Sequence, residues 1–310
     1  MQNSEWLKNI KHEMSQDRWP AECVRCEMTE KTSGTSIRLD MIERDRILRA
    51  IDKNYLIVGG VLDNVCNSAC QSCNSTLSTK IGSLESRDYV KINNYDNFFL
   101  LPHNRIVEID VNGGEPTASP NYRKLLKNLP ESVKIVRLNT NGSRIIEEVI
   151  QLLERGVRVI ITLSLDGVGL LHNYVRWPIL WQDYKKNVVS YLQLREKYPN
   201  LRLNFWTTVS CLNVANLDQI IAYTNSVDVD HAYGFCVTPA ELDIGFENKL
   251  TQDARGILEK SHNTLSNAIG KKCCSVGRKN SESLKIFIQK QDKLRKINFS
   301  DYFNFNLNLL

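Results

Sequence analysis

From Arg105 to Val237 the spacing of apolar positions switches repeatedly between a period of two and a helical period. Arg105–Val111 alternates as a half-buried strand does, residues 121–129 read as a helix, and Val133–Leu138 alternates again. Arg144–Arg155 forms an amphipathic helix with Ile145, Val149, Leu152 and Leu153 inward, closed by Gly156 as its C-cap. Val157–Leu163 is a fourth alternating run. Asp183–Lys197 then carries Tyr184, Val188, Tyr191 and Leu192 on one helical face. Leu201–Val209 is a strand, 216–226 a helix, and His231–Val237 a weaker sixth strand. Ahead of this series, Tyr55–Leu62 is a short apolar run rich in β-branched residues, which predicts a buried strand.

Strands that alternate with helices imply βαβ units and a parallel sheet. The expected class is α/β, a partial (β/α)6 TIM-like barrel with helical, cysteine-containing extensions at both ends. A Rossmann sheet is the alternative, but cysteines, not GxGxxG, follow the first strand. The expected division is 1–52 for an N-terminal extension, 53–245 for the barrel and 246–310 for a C-terminal helical extension.

In the N-terminal extension, residues 5–16 predict a helix with Trp6, Ile10 and Met14 inward, capped by Asn3 or Ser4. Trp19-Pro20 breaks it. Ser33–Ser36 is a loop, and Ile37–Ile51 a second helix with Ile37, Met41, Ile47 and Ile51 inward. Residues 75–100 are polar and read as a helix or an irregular excursion. The tail from Glu282 starts as a charged helix and ends with Phe299, Tyr302, Phe303 and Phe305 among asparagines. It reads as a helix that docks over the open side of the barrel.

Composition narrows the setting. A 310-residue chain suits one large domain with an appendage, or two domains. The hydrophobic share of 42% and charged share of 24% fit a globular protein and exclude a chain dominated by disorder. A net charge of +5 is small for this length: it would suit an acidic partner but does not demand nucleic acid. The first residues lack a basic region followed by an apolar core, and no uncharged apolar run approaches membrane-spanning length, so a cytoplasmic protein is expected. Nine cysteines in a reducing compartment then argue for metal or redox chemistry rather than disulfides.

Three of them, Cys66, Cys70 and Cys73, lie on one loop directly after the first strand. Three thiolates at this spacing suit three irons of a [4Fe–4S] cube and leave the fourth open. A partial zinc knuckle, or three unrelated cysteines, is the alternative, although zinc sites usually complete four ligands with a further Cys or His pair. Cys23-x-x-Cys26 could hold half of a second Fe–S cluster, half of a zinc site, or form a redox pair.

Three other strand ends carry unusual residues. Gly113-Gly114-Glu115-Pro116 offers backbone without Cβ atoms, an anionic acceptor suited to an ammonium group, and a fixed continuation; a plain turn is the bland equivalent. Thr140-Asn141-Gly142 follows the next strand. Ser164-Leu165-Asp166-Gly167 offers hydrogen-bond partners for hydroxyls such as a ribose diol, and is also an ordinary turn sequence. Arg176 could clamp a carboxylate with its planar fork, and His172 reads as a partly buried structural histidine. In a parallel barrel such loops gather at one rim, where chemistry sits.

Together, Cys66-x3-Cys70-x2-Cys73, then Gly113–Pro116, then Ser164–Gly167 followed by His172 and Arg176 resemble a radical S-adenosylmethionine (SAM) enzyme over roughly residues 55–240. The resemblance implies that Cys66, Cys70 and Cys73 ligate a [4Fe–4S] cluster and that SAM chelates its open iron through amino and carboxylate groups. It implies that Gly113, Gly114, Glu115 and Pro116 meet the methionine ammonium, that Ser164 and Arg176 meet the ribose or carboxylate region, and that Asn141 and Asp166 lie close by. The activity implied is reductive cleavage of SAM to a 5′-deoxyadenosyl radical, which removes hydrogen from a substrate. The family often has an aromatic residue just before the third cysteine, and Ser72 stands there.

The block Trp19-Pro20-x-x-Cys23-x-x-Cys26, with Glu30, Gly34 and Ser36-Ile37-Arg38, is similar to the segment ahead of the barrel in the twitch and SPASM-related subgroup. That likeness implies an auxiliary Fe–S cluster at Cys23 and Cys26, with Cys273 and Cys274 as candidates for the missing ligands. Cys211, Cys236 or substrate are further sources, although Cys211 and Cys236 read as plain buried cysteines. It further implies a flavodoxin- or ferredoxin-type reductant and a peptide or protein substrate. Radical modification of a small molecule such as a sugar or nucleoside, or a non-enzymatic Fe–S or zinc redox sensor, are the alternatives.

Overall fold

The computed structural model describes residues 4–24, 27, 30–31, 36–51, 53–85, 88–98 and 100–303, with Ile37, Ile51 and Thr264 described by backbone alone. Asn3, Cys26, the 33–35 part of the expected loop and Phe305 lie outside the described residues. The chain divides into two units, Met1–Leu56 and Ile57–Leu310.

In the first unit, α1 spans Glu5–Ser15 and is capped by Ser4, whose Oγ accepts the Leu7 N–H at 3.3 Å. Trp6, expected inward, is exposed, and its indole N–H donates to Glu22 at 3.0 Å. Cys23 closes a short 3-10 turn, Ala21–Cys23, that follows Pro20. Helix α2, Ile37–Ile51, has the expected ends but a different buried face. Leu48 is buried, whereas Met41 and Ile47 are exposed. The Asp45 carboxylate accepts from Arg49 Nε at 2.7 Å and from the Tyr55 hydroxyl. Glu30 accepts from Ser36 and from two nitrogens of Arg38, and the Arg38 guanidinium lies 4.8 Å from the Trp19 ring centre.

The second unit is built on six strands that lie side by side in chain order, β1 to β6. They are β1 Leu56–Val61, β2 Ile106–Asn112, β3 Ile135–Thr140, β4 Arg158–Ser164, β5 Leu201–Val209 and β6 Asp230–Phe235. Every registered pair from β2 to β6 is parallel. This is the α/β arrangement of a barrel left open between β1 and β6.

Helices fill the connections. They are α3 Thr79–Glu85, α4 Tyr95–Phe98, α5 Pro120–Lys127, α6 Glu148–Glu154, α7 Leu170–Val175, α8 Trp181–Lys197 and α9 Leu217–Ser226. Beyond the barrel come α10 Lys249–Leu258, α11 Thr264–Gly270 and α12 Ser281–Arg295. Helices α6, α8 and α9 pack on β4, β5 and β6. Strand β5 shows the consequence. Leu201, Leu203, Phe205, Thr207 and Val209 are buried toward the helices, while Arg202, Asn204, Trp206 and Thr208 alternate with them on the open face.

Two differences from the pattern have local causes. Helix α6 starts four residues later than its periodicity suggests, and Ile146 rather than Ile145 is buried. The Tyr191 hydroxyl of α8 donates to the Arg144 carbonyl and accepts the Ile146 N–H, both at 3.1 Å, which holds that approach outside the helix. Helix α7 is six residues long, too short for a helical period to declare itself. Helix α12 ends where Lys296 turns left-handed at φ 55°. Its Leu284 and Ile288 join Tyr174, Val175, Leu212, Leu242 and Phe299 in one apolar cluster, so the tail docks on α7 and on the loops after β5 and β6.

Candidate cofactor site at the strand ends

The loops after β1 and β2 run against each other. Gly114 N–H donates to Asp63 O at 2.9 Å, and Glu115 N–H to Val65 O at 2.7 Å. A Cβ on Gly113 would lie 2.2 Å from Asp63 O, and one on Gly114 2.0 Å from Val65 O. The first demand on these two glycines is therefore the neighbouring backbone, before any ligand. The fully buried Asp63 carboxylate locks the junction: it accepts Val65 N–H at 3.1 Å, Ser119 Oγ–H at 2.5 Å and Asn121 Nδ2–H at 3.1 Å.

The cysteine loop is then held open toward a cavity of about 440 Å³. Cys66, Cys70 and Cys73 line it from one side. Gly113 and Gly114, Asn141, Ser164 and Arg176 line it from the ends of the following strands. Ser68 sits between two thiols, its Oγ 3.3 Å from Cys66 Sγ and 3.5 Å from Cys70 Sγ. Burial, with the neighbouring Cys70, raises the pKa of the Cys66 thiol. Burial, then Cys70 and Cys66, push Cys73 up to about 12. Metal-free, these two thiols keep their protons at neutral pH, and a metal must displace them.

Three expected residues turn away from the cavity. Glu115 is fully buried, and its oxygens accept Thr117 N–H at 3.1 Å, Thr117 Oγ1–H at 2.9 Å, Thr140 Oγ1–H at 2.8 Å and Asn141 N–H at 2.6 Å. Pro116 continues this turn and is not among the lining residues. Asp166 accepts Arg176 Nη1–H at 2.9 Å on one oxygen and Thr208 N–H at 2.7 Å on the other. His172 is wholly buried between the rings of Tyr184 and Trp181, at 4.5 and 5.5 Å. Burial, and then the Arg176 charge, lower its pKa to about 3, so it is neutral at pH 7.

Three thiols of one loop that line one cavity with a buried arginine are a donor set that fits an Fe–S cluster with a bound carboxylate. A four-iron cube spreads its thiolates over separate corners. Arg176 is buried, lines the cavity and leaves Nε without a partner, so its fork has a donor to spare.

The sequence does not single out the lining residues Val61, Ser68, Leu77, Asn112, Asn139 and Thr208. Asn112 and Asn139 lie two positions beyond the register pair Asp110–Arg137, so strand parity alone puts them on one face. Their side chains meet directly. The remaining cysteines lie elsewhere. Cys211 and Cys236 are buried with α7 and α12, and Cys273 is packed with Val209, Val214 and Leu217. Burial, with Cys274 beside it, pushes the Cys273 thiol up to about 12. Cys274, half-buried in a left-handed turn at φ 61°, donates to Thr251 Oγ1 at 3.5 Å. A cavity of about 540 Å³ at the start of β6, between Ile221 and Asn263, has no thiol in its lining.

No family model and no curated protein matches the sequence. Among solved structures the chain is similar to native anSMEcpe with bound AdoMet, at 18% identity and a TM-score of 0.45, over 78% of this chain and 63% of that one. It is similar to Streptococcus suis SuiB bound to S-adenosylmethionine, at 12% identity and a TM-score of 0.44, over 69% and 51%. It is also similar to TsrM from Kitasatospora setae, a radical S-adenosylmethionine methyltransferase with cobalamin and a [4Fe–4S] cluster bound, at 12% identity and a TM-score of 0.36, over 57% and 36%. The chain thus spans between about a third and two thirds of the length of these proteins. No helix among the described residues is long and apolar enough to cross a membrane.

Proposed function

We propose that this chain is a radical SAM enzyme, with Cys66, Cys70 and Cys73 holding a [4Fe–4S] cluster and SAM occupying the cavity beside it. The observation that carries the reading is that three thiols of one loop share a single cavity with residues from the ends of the next four strands. When bound, the cluster and SAM supply an electron and a 5′-deoxyadenosyl radical for hydrogen abstraction. The chain's residues bind and orient. Arg176 offers its guanidinium to the methionine carboxylate, Ser164 and Asn141 offer polar contacts, and Gly113 and Gly114 present main chain. Glu115 and Asp166 brace these groups from behind rather than touching SAM.

The substrate in this reading is a peptide or protein segment. The open face of the sheet supports it, with exposed Asn112 and Asn139 lining the cavity and exposed Trp206 in register with Ser164 of the same cavity. Trp206 lies over Gly234, where a Cβ would come within 2.7 Å of the indole. An auxiliary Fe–S cluster at Cys23 and Cys26 belongs to the same proposal, as does a flavodoxin- or ferredoxin-type reductant.

Anaerobic reconstitution tests both parts. The expected yield is about four irons per chain for one cluster and about eight for two, with brown absorbance near ~400 nm. Cys70→Ala should abolish the primary cluster. Reductant and SAM should then yield 5′-deoxyadenosine; a full cluster that forms none sinks the assignment. A mass change in a peptide encoded beside this gene would identify the substrate, and turnover of a sugar or nucleoside instead would overturn the peptide part.

A further inference from the structure

The cysteine loop is gripped from two directions. On one side its N–H groups are bound by the end of α7 and the segment after it: Gln71 N–H donates to Val175 O at 2.9 Å and Ala69 N–H to Trp177 O at 2.7 Å. On the other side its carbonyls are bound by Arg295, the last residue of α12. Arg295 Nε–H donates to Ala69 O at 2.7 Å, and Nη2–H to Cys70 O at 3.1 Å. Nη1–H is turned back onto Gln291. The helix end that carries this fork is itself pinned. Asp292 accepts the Tyr174 hydroxyl at 2.8 Å on one oxygen and Phe299 N–H at 2.6 Å on the other.

The charge on this fork needs an explanation. Arg295 is only 3% exposed, and among the described residues no carboxylate pairs with it within 4.0 Å. Two backbone carbonyls could be satisfied by a neutral donor. Asp292, one turn back, attracts this charge from beyond ion-pair distance, and a buried cation without a close partner is costly unless further negative charge arrives with a ligand. Thiolates bound to iron would bring that charge to the neighbouring loop.

We propose that Arg295 is a positioning residue for the cysteine loop: its fork fixes the main chain at Ala69 and Cys70, and its charge, buried beside Cys70, offsets the negative charge of the cluster held there. The second half rests on the function proposed above; the first does not. A fixed cation and hydrogen bonds near the ligating sulfurs both act on a cluster's reduction potential. Removing the cation makes the cluster harder to reduce.

The test uses Arg295→Gln and Arg295→Lys in the full chain. In metal-free protein, deuterium uptake of the peptide carrying the 66–73 loop is followed by mass spectrometry, with peptides carrying buried Cys211 and Cys273 as internal references. The expected result is uptake by the loop several-fold faster in R295Q, intermediate in R295K, and unchanged references. Loop uptake at the wild-type rate in R295Q overturns the clamp. If the references also accelerate, R295Q has lost its fold and R295K decides: an intermediate loop rate supports the clamp and a wild-type rate overturns it. In reconstituted protein, an EPR redox titration should give a lower midpoint potential for R295Q and a value near wild type for R295K. Equal midpoints overturn the charge-offset half. Wild-type protein that assembles no cluster overturns the proposed function, and with it the charge offset, while the uptake result still decides the clamp.

Discussion

The main-chain N–H of Asn141 donates to the buried carboxylate of Glu115 at 2.6 Å, so the end of β3 is tied to the end of β2. Thr140 and Thr117 complete the set of donors on the same group. Burial raises the Glu115 pKa and these hydrogen bonds oppose that rise. Glu115→Gln keeps the shape but turns an NH2 group toward N–H and O–H donors. The expected cost is about 2–4 kcal/mol, as for leaving buried partners unsatisfied, read from urea unfolding of the metal-free protein.

Gly114→Ala should be worse than a conformational change alone. Its Cβ would meet the main chain of Val65, which cannot swing aside as a flexible side chain does. Gly156 provides the contrast: its φ is +78°, but a Cβ there would have open space within 4 Å. Gly156→Ala should cost roughly 1–2 kcal/mol, the left-handed penalty. Gly114→Ala should cost more, on the order of 3 kcal/mol or above, from overpacking against backbone. Thermal melts of the two variants, side by side, give the order.

His172 predicts a pH dependence. Its folded pKa lies at about 3, below the ordinary 6.5. Between these values the unfolded chain binds a proton that the folded chain refuses, so stability falls as pH drops from 6.5 toward 3. The contribution is up to about 1.4 kcal/mol per pH unit. Replacing His172 by Phe should flatten that part of the curve. Urea unfolding at several pH values across the window checks it: the stability gap between variant and wild type should shift in the variant's favour as pH falls.

Cys73 predicts a second one. With its thiol pushed up to about 12, the thiolate fraction rises about tenfold per pH unit throughout the mildly alkaline range, because an ordinary thiol near 8.5 would already level off there. Alkylation of Cys73 in metal-free protein should keep accelerating from pH 8 to about 10. A plateau near pH 9 would contradict it.

What the sequence disclosed follows the range of the forces involved. Strand β5 and the ends of α2 could be read because alternation and helical spacing are local. The rim position of Cys66, Gly113, Asn141 and Ser164 followed from counting strands, since parallel strands deliver their following loops to one side. The direction in which Glu115 and Asp166 point could not be read. Their partners, Thr140 and Thr208, lie 25 and 42 positions away, and a carboxylate aimed inward looks the same in sequence as one aimed at a ligand. The buried face of α2 departs from its spacing, with Leu48 inward and Met41 and Ile47 exposed. Arg295 offered no signal, being one basic residue among several in a charged helix.

Ala69 and Arg295 are 226 positions apart. During synthesis the three cysteines are made early, yet the side chain that braces their loop follows only after all six strands. Iron delivered to a half-made polypeptide would meet thiols on a loop gripped from neither side, since Trp177 and Arg295 are both still to come. The contact thus sets an order for the loop's shape: its grip by Arg295 can form only after helix α12 has been made.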